Sequence, residues 1–338
     1  MKIKGIISNP YEKKHRSYQI VFLWEKIISE NYPLPIVNVK GWWYFVIRNI
    51  NKIDFIKKFF IFLNTKIRIG GYYLFFCMDA SIEYREFKLN RWKNILPIII
   101  DYWIPQEKVQ LFFKYHKTSR CLLITSKEVY VHLLSNKCPI PLVHFPLSIP
   151  DENIQKDFLF QPKVFDFLFP GRRDPVFFEY MLQYEKENPE IEYVYQELED
   201  NIKPYYVSNK RGRLKEDFYS REGYLNLLRS SRITFYATPG LDPTKSSDKY
   251  NQVTPRFLEL LASGCLVMGR YIKNPDTEYY NLERYCPLIN NYDNFKETLM
   301  LFFDEKWTSA HITSYYDYLL QHTTTSRIPI LKEIIKNI

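Results

Sequence analysis

The sequence predicts an α/β protein of two consecutive domains, each built on a largely parallel sheet. Three observations predict it. The chain has 338 residues, which is about twice an ordinary domain of roughly 150 residues. Short, fully apolar runs alternate with longer stretches of helical periodicity in both halves, as βα repeats require. Between the halves lies PLSIPDENIQKDFLFQPK (146–163), with three prolines and no period, which marks a boundary.

The first half opens on KIKGIIS (2–8), a short apolar strand, followed by the loop NPYEKKH and an amphipathic helix over 16–31. LPIVNV (34–39) is the next strand. Residues 44–65 carry apolar side chains at helical spacing with Lys and Arg between them. YYLFFCMD (72–79), ILPIIID (95–101), CLLITS (121–126) and IPLVHF (140–145) follow as apolar runs bounded by polar residues, with a helix over 127–136 between the last two. Such runs suit strands buried on both faces of a parallel sheet.

The second half repeats the pattern. KVFDFLF (163–169) is a strand, PGRRDP a loop, and 175–187 a helix. IEYVYQ (191–196) is a strand, REGYLNLLRSS (221–231) a helix and RITFYAT (232–238) a strand. TPRFLELLASG (254–264) is a helix and CLVMGR (265–270) a strand. Helices fill much of 293–321, and a last one covers 329–337.

Composition narrows the class. Hydrophobic residues at 46% are enough for two cores, and charged residues at 25% fit a globular chain. The 28 Tyr and 25 Phe, beside many Ile, Lys and Asn, are read first as a coding bias toward AT-rich codons, and each aromatic is not taken as a ligand platform. Cys77, Cys121, Cys138, Cys265 and Cys286 are odd in number and lack paired spacing, so they are expected as reduced cysteines of a cytoplasmic protein, without a structural metal. No signal-peptide pattern opens the sequence, and no apolar stretch approaches the roughly 20 residues of a spanning helix. Residues 1–150 hold 23 Lys and Arg against 10 Asp and Glu, a net +13, whereas the remainder holds 24 against 28, a net −4. A basic first half suits nucleic acid, an anionic membrane surface or a phosphorylated substrate. The basic residues are scattered, and no nucleic-acid-binding motif is present, so nucleic acid is not an expected partner.

The most informative segment is TPRFLELLASGCLVM (254–268). Thr254 suits a helix N-cap, and Pro255 suits the first helical position, where its missing N–H costs nothing. Gly264 suits the left-handed C′ position. The free N–H groups at such a helix start attract anions, and Arg256 sits in that first turn. Glu259 lies among Phe257, Leu258, Leu260 and Leu261, where a carboxylate could accept hydrogen bonds from two ribose hydroxyls. Its alternative is a solvent-facing helix position; neither Arg256 nor Glu259 is expected in the core.

TPRFLELLASGCLVMGR, FLFPGRRDP (167–175) and GYLNLLRSSRITFYATPG (223–240) together resemble the nucleotide-binding domain of GT-B glycosyltransferases of the bacterial surface-polysaccharide type. The likeness covers residues 164–290; over 1–150 it is architectural. It implies a GT-B fold, two Rossmann-like domains facing a cleft. Residues 1–150 would be the acceptor-binding domain, 151–320 the nucleotide-sugar-binding domain, and 321–338 a helix returning to the first domain. It further implies Glu259 on the donor ribose, Arg172 and Arg256 on the diphosphate, and Thr254 and Pro255 at the diphosphate-binding helix start. Where retaining members carry a second Glu and a Lys, this chain has Asn251 and Phe177, and Ser8-Asn9-Pro10 replaces a glycine pair.

Other residues complete the expectation. No Asp-x-Asp occurs, so the leaving diphosphate would be met by helix N-termini and arginines, with no metal and no cofactor beyond a UDP- or GDP-linked donor. Asp79 and Asp101 each end an apolar strand, where ligands of open α/β sheets bind, and either could deprotonate an acceptor hydroxyl; a turn or cap aspartate is the plainer alternative. His15 is a third candidate, whereas His144 in its apolar strand reads as a core histidine. Arg172 is favoured over the adjacent Arg173, and Lys245 and Lys249 read as solvated charges. The acceptor implied is a glycan or polyprenyl-diphosphate-linked glycan of capsule or lipopolysaccharide assembly. Residues 44–65 read either as a buried helix with solvated lysines on one side or, with Trp42 and Trp43 before them, as a basic aromatic helix resting on the inner face of an anionic membrane. The rival functions are a GT-B-like nucleotide-sugar epimerase and, further off, a nucleic-acid-binding protein.

Overall fold

The computed structural model describes residues 2–8, 16–38, 71–78, 80, 95–117, 119–199, 203–215, 218, 220–241 and 250–337. His15, Asp79, Trp42, Trp43, the 44–65 stretch, Lys245 and Lys249 lie outside the described residues. The chain divides into two compact units. Unit 1 is Met1–Pro150 with Asp242–Gln252 and Thr324–Ile338; unit 2 is Asp151–Leu241 with Val253–Thr323.

In unit 1 the described elements are β1 (Ile3–Ser8), α1 (Arg16–Asn31), β2 (Ile36–Asn38), β3 (Tyr72–Cys77), β4 (Ile95–Ile99), α2 (Val109–His116), β5 (Leu122–Ile124), α3 (Lys127–Ser135) and β6 (Leu142–His144). The strands form one sheet in the order β2-β1-β3-β4-β5-β6, with every pairing parallel. The apolar runs become strands because both faces are covered: Leu74, Phe75, Phe76 and Cys77 of β3 are all buried. Ser126 caps α3 by accepting from the Val129 N–H. The final helix, Ile328–Asn337, belongs to unit 1. Just ahead of it, Thr324 donates to Ile149 O and Arg327 to Leu147 O, which fixes the returning chain.

Unit 2 holds α4 (Lys156–Leu159), β7 (Phe165–Phe169), α5 (Pro175–Glu187), β8 (Tyr193–Glu199), β9 (Lys203–Ser208), β10 (Gly212–Arg213), α6 (Arg221–Arg229), β11 (Ser231–Ala237), α7 (Pro255–Ala262), β12 (Leu266–Arg270), α8 (Pro275–Tyr279), α9 (Leu282–Tyr285), α10 (Tyr292–Phe303) and α11 (Glu305–Leu320). Its sheet runs β10-β9-β8-β7-β11-β12. The four strands from β8 to β12 pair in parallel, but β9 joins β8 antiparallel and β10 joins β9 the same way. That edge hairpin departs from the purely βα pattern expected from sequence. The 146–163 stretch also contains the short helix α4, one turn that its length hides from any periodicity.

Aromatic side chains pack the core of unit 2. Phe169 stacks on Phe235 at 4.4 Å between ring centroids, and Phe177 of α5 lies 4.9 Å from Phe235. Lys163, just before β7, donates to the carbonyls of Arg229 and Ser263 at 2.9 and 3.0 Å, so one cation closes the C-terminal ends of α6 and α7. Burial pushes the Lys163 pKa down. All five cysteines are free. Among the described residues no helix is long and apolar enough to cross a membrane.

Candidate functional site

In unit 2, β8-β7-β11-β12 places the first strand of the series between its successors on both sides. The order therefore reverses between β7 and β11, and the crevice at their carboxyl ends is where open α/β sheets bind ligands. The loop after β7 is PGRRDP, and the helix after β11 in the chain is α7.

The start of α7 is built as its sequence dictates. Thr254 is the N-cap in extended conformation, and Pro255 follows as the first helical residue. The Thr254 hydroxyl makes no capping bond to the helix. Instead the Thr254 N–H donates to the Tyr236 hydroxyl at 3.0 Å, and the two hydroxyls stand 3.5 Å apart. Among the described residues the positive end of the helix is thus left without a side-chain acceptor. The far end closes on Gly264 at φ +64°, with Cys265 N–H donating to Leu260 O and Gly264 N–H to Leu261 O, a Schellman pair. A side chain at 264 would collide with the Leu159 carbonyl of α4, so this glycine is fixed twice over.

The loop after β7 presses against the same helix. Gly171 has φ +92°, and an added Cβ would stand 2.9 Å from Arg256 Nη2. Only glycine lets the backbone meet that guanidinium so closely. Asp174 anchors the loop: it caps α5 through the Val176 and Phe177 N–H groups and takes an ion pair from Arg270 Nη2 at 2.7 Å. The two loop arginines part company. Arg173 pairs with Glu197 at 3.1 Å and lies over the Phe178 and Tyr195 rings. Arg172 is exposed and has no hydrogen bond or ion pair among the described residues.

Arg256 likewise makes no hydrogen bond or ion pair among the described residues, although it is only partly exposed. Burial works against its charge, but Tyr224, Glu259, Tyr206 and Tyr236 outweigh this and hold its pKa above the ordinary arginine value. At neutral pH the phenols are uncharged, so Glu259 is the neighbour whose charge matters. Glu259 itself is 5% exposed, which corrects the expectation that it lies outside the core. Its Oε1 sits 2.6 Å from Arg221 Nη1. A buried carboxylate on an apolar helix face requires such a partner. The Nε and Nη2 atoms of Arg221 are buried and find no acceptor among the described residues, and the Tyr206 hydroxyl is likewise buried without a partner among them.

No known protein family matches the sequence, and no curated protein matches it. Solved structures match the fold. A Listeria monocytogenes protein assigned as a UDP-N-acetylglucosamine 2-epimerase superposes with a TM-score of 0.52 at 13% identity, over 99% of this chain and 96% of its own. A trehalose-6-phosphate synthase, studied for glycosyl transfer with retention, gives 0.52 at 11% identity, over 97% and 86%. The DNA-modifying β-glucosyltransferase whose substrate is uridine diphosphoglucose gives 0.49 at 14% identity, over 99% and 100%. The chain has a GT-B-like fold. Identities this low show the fold alone.

In the first domain of this GT-B-like chain, the order β2-β1-β3 puts the corresponding switch point at the carboxyl ends of β1 and β3. Asp101 follows the next strand, β4, and is partly buried. Its carbonyl accepts from the Ala80 N–H at 2.9 Å, so the turns after β3 and β4 touch. Gln252 clamps the next residue, accepting from Tyr102 N–H at 3.1 Å and donating to Tyr102 O at 2.8 Å. Asp79 and His15 lie outside the described residues. His144 sits in β6, and burial, aided by Lys127, pushes its pKa down to about 4.

Sequence reasoning therefore gathered Thr254, Pro255, Arg256, Glu259 and Arg172 from two segments of unit 2, and it missed Arg221. The one available signal was Ser220, a helix N-cap that puts Arg221 in the first turn of α6, where a cation is out of place without a carboxylate.

Proposed function

We propose that the protein is a metal-independent, hexosyltransferase-like glycosyltransferase. It would move a sugar from a UDP- or GDP-linked donor to a glycan or lipid-linked glycan acceptor in surface-polysaccharide assembly. The observation that carries this is the Arg256 guanidinium, without a hydrogen-bonding partner among the described residues, lying against Gly171 at the uncapped start of α7. The acceptor oxygen attacks the anomeric carbon, the bond to the β-phosphate oxygen breaks, and the nucleoside diphosphate leaves with the electron pair. Arg256, Arg172 and the α7 N–H groups meet the charge that grows on it. Glu259 takes ribose hydroxyls through the oxygen not paired to Arg221. Asp101, Asp79 or His15 takes the acceptor proton.

A thermal-shift panel of UDP, GDP, ADP, CMP and TDP tests the donor site. A nucleotide at 100 times its Kd raises stability by about 2.7 kcal/mol. A flat response to all five overturns the reading. A second reading, nucleotide-sugar 2-epimerase, is favoured by the near full-length match to the Listeria fold. Incubation with UDP-N-acetylglucosamine alone separates the two. Epimerised sugar without any acceptor supports the epimerase, and UDP release that depends on added acceptor supports the transferase.

A further inference from the structure

Outside the α7 site, unit 2 carries a cavity of about 530 Å³ where α8 and α9 face the C-terminal end of α11. Its volume is that of an ordinary ligand pocket. None of its lining residues belongs to the nucleotide site described above. Aromatic rings form much of its wall. Tyr285 and Tyr318 lie 4.4 Å apart between centroids, and Tyr318 lies 4.5 Å from His322. Tyr279, 39% exposed, makes T-shaped contacts with Tyr280 and His322, so its ring is fixed although it is open to solvent.

Three polar side chains on the rim have unfilled hydrogen-bonding capacity among the described residues. Arg284, Asp317 and Asn281 are exposed, line the cavity, and make no side-chain hydrogen bond or ion pair among the described residues. Arg284 does lie over the Tyr285 ring, at 5.2 Å. Asn281 also holds a left-handed backbone at φ +48°, in the tight turn between α8 and α9. Each of the three is a planar group able to make paired hydrogen bonds: the guanidinium donates twice, the carboxylate accepts twice, the amide does one of each.

We infer that this cavity binds a neutral saccharide. The opposite charges of Arg284 and Asp317 cancel, so the site selects neither anions nor cations. A ligand that satisfies a forked donor, a forked acceptor and an amide at once must carry several groups that both donate and accept, and vicinal hydroxyls do. The exposed Tyr279 ring, backed by the buried Tyr285 and Tyr318, supplies the apolar surface that the C–H face of a pyranose covers. The volume accommodates more than one sugar ring, whereas an amino-acid zwitterion, the other ligand matching one positive and one negative group, leaves the exposed Tyr279 ring uncovered. The inference does not rest on the nucleotide site and stands if that site binds nothing.

Saturation-transfer NMR with maltose, cellobiose, lactose and N,N′-diacetylchitobiose tests it, with glycine betaine and glutamate as zwitterionic controls. At least one disaccharide binds the wild-type protein. Tyr279→Ala and Asp317→Ala each weaken that binding about tenfold, Asp317→Ala with the melting temperature unchanged because it breaks no hydrogen bond among the described residues, and Arg256→Ala leaves the binding intact. The inference is overturned if no disaccharide binds, if binding ignores both cavity substitutions, or if only the zwitterions respond.

Discussion

Arg221 and Glu259 meet at 2.6 Å although 38 positions separate them in the chain, and they join the first turn of α6 to the middle of α7. Glu259 is thereby both a candidate ribose ligand and half of a buried ion pair. Removing one partner of such a pair strands the other charge, at a cost of about 3–5 kcal/mol. Glu259→Ala is expected to lower the unfolding free energy read from urea titration by that scale, with a lower midpoint, and Glu259→Gln, which keeps an acceptor oxygen for Arg221, by less. A midpoint unchanged in Glu259→Ala shows that the pair does not form in solution.

Arg256 tests the chemistry rather than the fold. Its guanidinium has no hydrogen bond to lose among the described residues. Arg256→Ala is expected to keep the wild-type melting temperature and to lower kcat on the order of 100-fold, the scale for one preorganised donor facing a developing charge. Steady-state kinetics with the nucleotide-sugar identified by the thermal panel measure it. A change confined to KM assigns Arg256 to ground-state binding alone.

Gly171→Ala places a methyl group 2.9 Å from Arg256 Nη2 on a backbone at φ +92°. The left-handed backbone alone costs roughly 1–2 kcal/mol. The guanidinium is displaced as well, so nucleotide affinity falls together with stability. Calorimetric titration of the variant with nucleoside diphosphate reads the first, and thermal unfolding the second. An unchanged affinity separates the loop from the site.

Stability depends on pH through partly buried histidines in both units, of which His144 and His311 are shifted furthest. Burial pushes His144 and His311 down to about 4, with Lys127 adding to the effect on His144 and Arg284 on His311. In the unfolded chain a histidine titrates near 6.5. Below that pH the unfolded state takes up protons that the native state refuses. Their contribution is therefore full above about pH 6.5 and is lost as pH falls toward 4, by at most about 1.4 kcal/mol per histidine per pH unit. Urea midpoints measured from pH 7 to pH 4 follow this decline, and His311→Phe makes it shallower. A wild-type midpoint independent of pH over that range removes the claim.

The sequence alone was enough for what is decided within a turn or two of chain. Thr254-Pro255 starts α7 and Ser263-Gly264 stops it, because capping and left-handed closure depend on neighbouring residues only. The apolar runs became parallel strands for an equally local reason, since a strand covered on both faces tolerates no polar alternation. The tertiary structure decided the partners. Nothing near Arg172 and Arg173 says which one is spent on Glu197 and two aromatic rings and which stays open; that follows from β8 lying beside β7. Nothing near Glu259 says that it is buried against Arg221. The antiparallel edge of β9 and β10 was also out of reach, because strand direction is set by which neighbour supplies hydrogen bonds, not by the side chains along the strand itself.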